Sequence, residues 1–252
     1  MVVLATAGAA PALAQAGAGP QRQPTTLKPH SNWTVKGHLS LQLSTGLDLD
    51  AFGNITDVGV GQRGTQPLVI NLTGYPDTYV TTPHRERIAI GLGFARRAEV
   101  FVQASRTTYT GTPVGVGVEN ANMTMDISPY KEVAFDVGLR KYFNTGESRR
   151  IYVALSGGQR KIDAISAVFD PEVGASLGRL RLYDASKVKS FGVEFGITLE
   201  GKHVGLFFDG GARWQGKLKQ LDDDLLVFGL EKGNDTGARF YMPVQLGLLI
   251  RM

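Results

Sequence analysis

The 252-residue chain contains no cysteine. Disulfides, thiol nucleophiles and thiolate metal sites are therefore excluded. Histidine is sparse, and His30, His38, His84 and His203 fall far apart. None completes a His-x-x-x-His or His-Glu-x-x-His pattern, so no metal site is expected. Beyond the first residues no apolar run approaches the roughly 18–20 residues that a membrane helix needs. That excludes a helical span but not one made of strands, which alternate and so escape a hydropathy window. The net charge of +4 is not gathered into a basic run or helix. No nucleic-acid partner is expected from it. The Gly91-Leu92-Gly93 stretch and the Gly115/Gly117 pair lack a following helix or a phosphate-binding lysine, so no nucleotide or other cofactor is expected.

Glycine, by contrast, is abundant, with 32 residues. Without a collagen period this level suits tight turns and closely packed strands. The opening stretch is apolar and alanine-rich. Ala12-Leu13-Ala14 and Ala14-Gln15-Ala16 are both small-x-small sites of the signal-peptidase kind. Residues 1–16 read as the end of a longer signal peptide whose basic beginning lies upstream. Residues 17–32, rich in Gly, Pro, Gln and Thr, read as a flexible periplasmic linker. Residues 33–252 form the folded domain.

That domain is dominated by a two-residue period. Phe240, Met242, Val244, Leu246, Leu248, Ile250 and Met252 line one face of a strand and would encircle a helix. Seven further segments alternate in the same way. They centre on Leu39–Leu43, Ile88–Phe94, Val100–Ala104, Val133–Leu139, Ile151–Leu155, Phe191–Leu199 and Val204–Trp214. The first is expected to begin at Trp33. The gaps between segments alternate as well. Short gaps follow Phe94, Phe143 and Leu199, and long ones span Asp48–His84, Tyr109–Pro129, Asp163–Lys187 and Lys217–Arg239. Short turns at one end and long loops at the other predict an all-β, eight-stranded antiparallel up-and-down transmembrane β-barrel. An even strand count puts both termini at the short-turn end, which in a bacterial outer membrane is the periplasm.

Volume decides which face looks outward. An eight-stranded barrel has a lumen just wide enough to be filled by side chains, and the many Leu, Ile and Phe residues of the apolar faces exceed it. The opposite faces carry small residues such as Gly91, Gly138, Gly158, Gly192, Gly196 and Gly247. The apolar faces therefore point to lipid. The inward faces then hold Lys36, Asp136, Arg140, Glu194, Asp209 and Arg213, which are expected to pair into a lumen charge network, since buried charges must be compensated. Arg87 and Glu132 join them. For Arg87, Glu132 and Arg213 a rim position touching water is an equal alternative. Trp33, Phe94, Tyr142, Phe143 and Phe240 are candidates for interfacial girdles.

Val133–Phe143 (VAFDVGLRKYF) and Ile151–Gly158 (IYVALSGG), joined by a turn, resemble the OmpA-like/OmpX-like outer-membrane β-barrel superfamily. The echo is a strand ending Gly138-Leu139-Arg140-Lys141-Tyr142-Phe143. Family members commonly finish on an aromatic residue, where this chain has Met252. The resemblance implies an integral outer-membrane protein of a bacterial cell envelope, acting in envelope structure or in surface binding and adhesion through its long extracellular loops. The implied partners are outer-membrane lipids and lipopolysaccharide, the outer-membrane insertion machinery and an unidentified surface ligand, with a monomer as the expected state.

Two alternatives stand beside it: a small outer-membrane channel and a lipid-modifying barrel enzyme. The enzyme would need a serine beside a histidine. His30-Ser31-Asn32, or His84 with Ser166 or Ser186, are its only candidates, and no catalytic residue is assigned. Leu68–Leu72 and Tyr75–Tyr79 suggest an extra hairpin in the first loop. Asp222-Asp223-Asp224 in the fourth is either a solvated tip or a divalent-cation contact.

Overall fold

The computed structural model describes residues 33–78, 83–117, 122–144, 148–221, 223–230, 233–234 and 238–252. The expected leader and linker, and with them His30-Ser31-Asn32, lie outside them. Eight strands form the wall: β1 (Leu39–Phe52), β2 (His84–Ala95), β3 (Ala98–Tyr109), β4 (Tyr130–Asn144), β5 (Arg149–Ile162), β6 (Ser186–Glu200), β7 (Val204–Gln215) and β8 (Arg239–Arg251). Each pairs antiparallel with its chain neighbours, and β1 closes on β8. Closure leaves no edge strand to be blunted. The stagger can be read from the register. A row begun at Phe208 passes through Leu246, Thr45, Glu86, Arg106, Val133 and Lys161 to Lys187. Extrapolated from the Ser190–Gln215 pair, it rejoins β7 about ten positions nearer the loops, a shear in keeping with a strand tilt of about 40°.

The alternation resolves as lipid-side burial arithmetic requires. Phe135 is 57% exposed, Leu155 60% and Phe191 61%, while inward neighbours such as Asp136, Ala154 and Ser190 are buried. Wall glycines make room for large inward side chains. A Cβ on Gly196 would collide with the Tyr152 ring, and one on Gly138 with Phe101. Gly196→Val is therefore expected to cost about 1–3 kcal/mol through overpacking, read as a lower urea midpoint in lipid vesicles. An unchanged midpoint would mean that the Tyr152 ring has room to yield.

The structure corrects the sequence reading in three places. First, β1 begins at Leu39, not Trp33. Gly37, at φ +80°, sits in a turn that sends the preceding segment back into the short-turn end. The Val35 N–H donates to the Arg96 carbonyl, and the Gly37 N–H to that of Gly93. Val35 is buried, and Trp33 meets Tyr142 edge-on at 5.4 Å. Trp33 and Tyr142 thus point inward instead of joining a girdle, whereas Phe94 and Phe143 do face outward. Second, β1 runs on to Phe52, so Asp48 and Asp50 belong to the wall and not to the first loop. Third, Lys36 precedes β1 and is exposed; the Gly37 turn takes it out of the lumen.

The four long loops fold together. Val114–Gly115 and Met123–Ile127 from the second loop join Ile165–Pro171 and Gly178–Tyr183 from the third in a four-stranded sheet. In the first loop a hairpin forms, but Gln66–Ile70 pairs with the preceding Gly59–Arg63 and not with the expected Tyr75–Tyr79, of which Tyr75–Thr78 is a 3-10 turn; the fourth adds a short helix, Asp223–Leu226. Leu68, Met125, Phe169, Leu182, Leu225 and Leu230 are buried in one common core. Polar groups stitch the loops across this core: the Tyr183 hydroxyl donates to the Ile55 carbonyl at 2.6 Å, and Asn234 Nδ2 to that of Leu182 at 2.8 Å.

Candidate functional site

Inside the wall, every buried cation among the described residues is an arginine: Arg85, Arg87, Arg140, Arg150, Arg160, Arg213 and Arg239. The planar guanidinium fork can hold two carboxylates at once and is weakly hydrated, which suits a dry lumen better than an ammonium does.

The mid-lumen cluster shows how the fork is used. Arg87 reaches Glu194 at 3.1 Å and Asp209 at 2.7 Å. Arg213 bridges Glu194 at 3.2 Å and Asp136 at 2.9 Å. The Tyr152 hydroxyl donates to Asp209 at 2.7 Å, and Gln103 Nε2 donates to Asp136 at 3.1 Å. Toward the loops the chain of alternating charge continues. Arg160 pairs with Glu132 and stands 3.9 Å from Asp136. Arg239 stands 3.6 Å from Glu132 and pairs with Asp50 at 2.6 Å. Arg85 pairs with Asp48 at 3.1 Å.

The Arg239 guanidinium also lies over the rings of Tyr75, Tyr109 and Tyr241 at 4.8–4.9 Å. It joins the lumen to the floor of the loop cap. Toward the short turns a second cluster forms. Glu99 accepts from Arg140 at 2.8 Å and from Ser40 at 3.0 Å, and Arg140 lies between the rings of Phe101 and Tyr152. Below it, Trp33 lies under the guanidiniums of Arg150 and Arg251, at 4.6 and 5.5 Å.

Of the six residues expected to line the lumen, Asp136, Glu194, Asp209 and Arg213 meet in the mid-lumen cluster. Arg140 sits in the lower one, and Lys36 in neither. Arg87, Glu132 and Arg213 are buried rather than at a rim. The sequence reading missed Asp48, Asp50, Arg85, Glu99, Arg160 and Arg239. Their signal was parity alone: each falls on the inward phase of its strand once the strand is drawn to its full length.

Charges inside and apolar side chains outside reverse the order of a water-soluble protein. The outward Leu, Ile, Val and Phe of all eight strands form a surface far larger than a soluble monomer exposes. The chain is a transmembrane β-barrel.

No family model matches the barrel, and no curated protein matches it. Among solved structures it is similar to OprG from Pseudomonas aeruginosa, at 13% identity and a TM-score of 0.46, covering 86% of this chain and 96% of that one. It is also similar to Ail, the attachment invasion locus protein of Yersinia pestis, at 15% identity and a TM-score of 0.40, covering 86% and 99%. The outer membrane protease OmpT from Escherichia coli matches at 10% identity and a TM-score of 0.41, covering 85% and 97%. Likeness at this level leaves the barrel's function to its own residues.

Among the described residues His84 is not seen against Ser186. His84 Nε2 lies 3.1 Å from Thr45 Oγ1, while Ser186 Oγ donates to the Asp184 carbonyl and accepts from the Lys219 N–H. The fourth loop's acidic run is partly engaged. Asp224 accepts from the Arg181 backbone and side chain, and Asp222 lies outside the described residues. The Arg181 N–H holds the Asp224 carboxyl below its usual range, and the hydrogen bond from Lys219 does the same for Asp184. Both links fasten the third loop to the fourth. With folded-state values depressed, their contribution is complete at neutral pH and is lost as the pH falls through those values.

Proposed function

We propose that the protein is an integral barrel of a bacterial outer membrane, with its lumen closed, its termini in the periplasm and its folded loop cap as the extracellular working surface. It acts in envelope structure or in surface binding and adhesion, without catalytic turnover. The observation that carries this reading is the continuous chain of buried ion pairs from Asp209 through Arg87, Glu194, Arg213, Asp136, Arg160, Glu132 and Arg239 to Asp50. Conduction would require ions to displace charges that are already paired in a low-dielectric interior. The Trp33 segment at one end and the shared loop core at the other support closure too. Binding then falls to the cap, where a rigid scaffold presents loops to the outside.

The test combines three measurements on the expressed chain. It should fractionate with the outer membrane, migrate faster on gels when unheated, and give no steady single-channel current in planar bilayers. A soluble product would overturn the membrane reading. A well-resolved conductance would overturn the closed lumen in favour of a channel.

A further inference from the structure

On the outside of the barrel four lysines gather at one place. Lys131 on β4, Lys161 on β5, and Lys187 and Lys189 on β6 are all exposed and share the outward phase of three adjacent strands. They stand at the loop end of the wall. One pleat below Lys131 on β4, and one below Lys189 on β6, the same face turns apolar with Val133 and Phe191, and Phe135 follows on β4. Elsewhere the wall differs. Neighbouring strands lie about 4.8 Å apart and tilt about 40°, so each step from strand to strand raises a row by roughly 3 Å. On that reckoning the residues at matching height on β7, β8 and β1 are Trp214, Phe240 and Leu49. The cationic rim therefore covers only part of the circumference.

Two features set this rim apart from scattered solvated lysines. Lys161 lies directly opposite Lys187 in the ladder, with Lys189 two residues along the same face. Like charges placed so repel one another and weaken the pairing of β5 with β6. Among the described residues none of the four has an ion-pair partner. Asp184, which could have served, is taken by Lys219 at 2.6 Å. Asp163, whose N–H donates to the Lys131 carbonyl at 3.0 Å, sets one carboxylate beside Lys131 and leaves Lys161, Lys187 and Lys189 facing one another. Arg106, in the same row, faces Glu86 across β2–β3 and so has an opposite charge for a neighbour. The positive charge with no carboxylate across the ladder is thus that of Lys161, Lys187 and Lys189 on β5 and β6, with Lys131 at its edge.

We infer that this face binds a polyphosphorylated lipid of the outer leaflet, its clustered phosphates on Lys131, Lys161, Lys187 and Lys189 and its acyl chains along Phe135, Leu155 and Phe191. A headgroup with several phosphates relieves the Lys161–Lys187 repulsion at one stroke. A single phosphate cannot span the four ammoniums. The lysine stems lie along apolar surface with their charged ends at the headgroup level, as long cationic side chains do at membrane interfaces. The inference rests on the membrane reading above and adds a ligand class and a face to it.

The full chain, folded into phosphatidylcholine nanodiscs, is titrated with bisphosphorylated lipid A, with its dephosphorylated form and with phosphatidylglycerol at matched charge, and retention is read by native mass spectrometry. The wild type should retain bisphosphorylated lipid A at least tenfold more tightly than either comparison lipid. The K131Q/K161Q/K187Q/K189Q variant should lose that preference, while K141Q/K202Q, at the opposite end, should keep it. In phosphatidylcholine alone the fourfold variant should unfold at the wild-type midpoint or above it, because a repulsion has been removed, which separates lost binding from lost folding. Equal retention by wild type and variant, or equal retention of the phosphorylated and dephosphorylated lipids, overturns the inference. So does phosphatidylglycerol matching lipid A. Failure to enter the nanodiscs at all overturns the membrane reading instead.

Discussion

Arg213→Ala lowers the unfolding free energy of the barrel by about 3–5 kcal/mol, the usual cost of removing one partner from a buried ion pair. Arg213 is fully buried and bridges Asp136 and Glu194, so alanine leaves both carboxylates short of a cation in a space that water enters poorly. Glu194 keeps Arg87. Asp136 keeps only Gln103, the Ser190 hydroxyl and the distant Arg160, and bears most of the loss. Urea titration in lipid vesicles, followed by the shift between folded and heated gel mobility, measures it. The double replacement Arg213→Met with Asp136→Asn should recover much of the stability, because a neutral pair of similar size removes the stranded charge. If the single variant unfolds within about 1 kcal/mol of wild type, a range typical of solvent-exposed pairs, the lumen is wet and the network is not what closes it.

The second large effect is in the cap. Phe169 is fully buried among Leu68, Met125 and Leu182, residues drawn from three different loops. Phe169→Ala should cost about 3–5 kcal/mol, from lost burial and the cavity left behind. The loss is expected to be local. The cap would open and become sensitive to protease across residues 165–183, while the eight wall strands keep their heat-modifiable mobility. Limited proteolysis beside the gel assay separates the two. Protection equal to wild type would mean that the four loops do not depend on a shared core. A barrel that unfolds together with its cap would show that Arg239 and its three tyrosines couple them into one cooperative unit.

Much of this was legible in the chain itself. Alternation fixes which side chains share a face, because a strand has no other choice of phase. Glycines on one phase and Leu, Ile and Phe on the other then decide which face looks outward, since an eight-stranded lumen holds little volume. Asp136, Arg140, Glu194, Asp209 and Arg213 could be assigned to the lumen for that reason alone. The limits were the strand ends. Where a strand leaves the membrane its outward residues become polar, as at Lys131 and Lys161, and the contrast between faces fades. Asp48, Arg85, Arg160 and Arg239 sit in those end regions, so their inward phase was hidden. Lys36 erred the opposite way: its phase was extended through Gly37, where the chain turns.

The sequence by itself therefore determined the barrel, its strand count, its inside-out polarity and the residue types of its lumen, all of which follow from a local period and from volume. Only the tertiary structure decided which arginine meets which carboxylate, because that depends on the stagger of eight strands, a property of closure and not of any one segment. It alone decided that Trp33 turns inward and that four long loops share a core, since those contacts join residues from tens of positions to more than a hundred apart. The four outward lysines were in plain sight in the sequence. Their convergence on one face, with Lys161 set against Lys187, came from the register of β5 and β6.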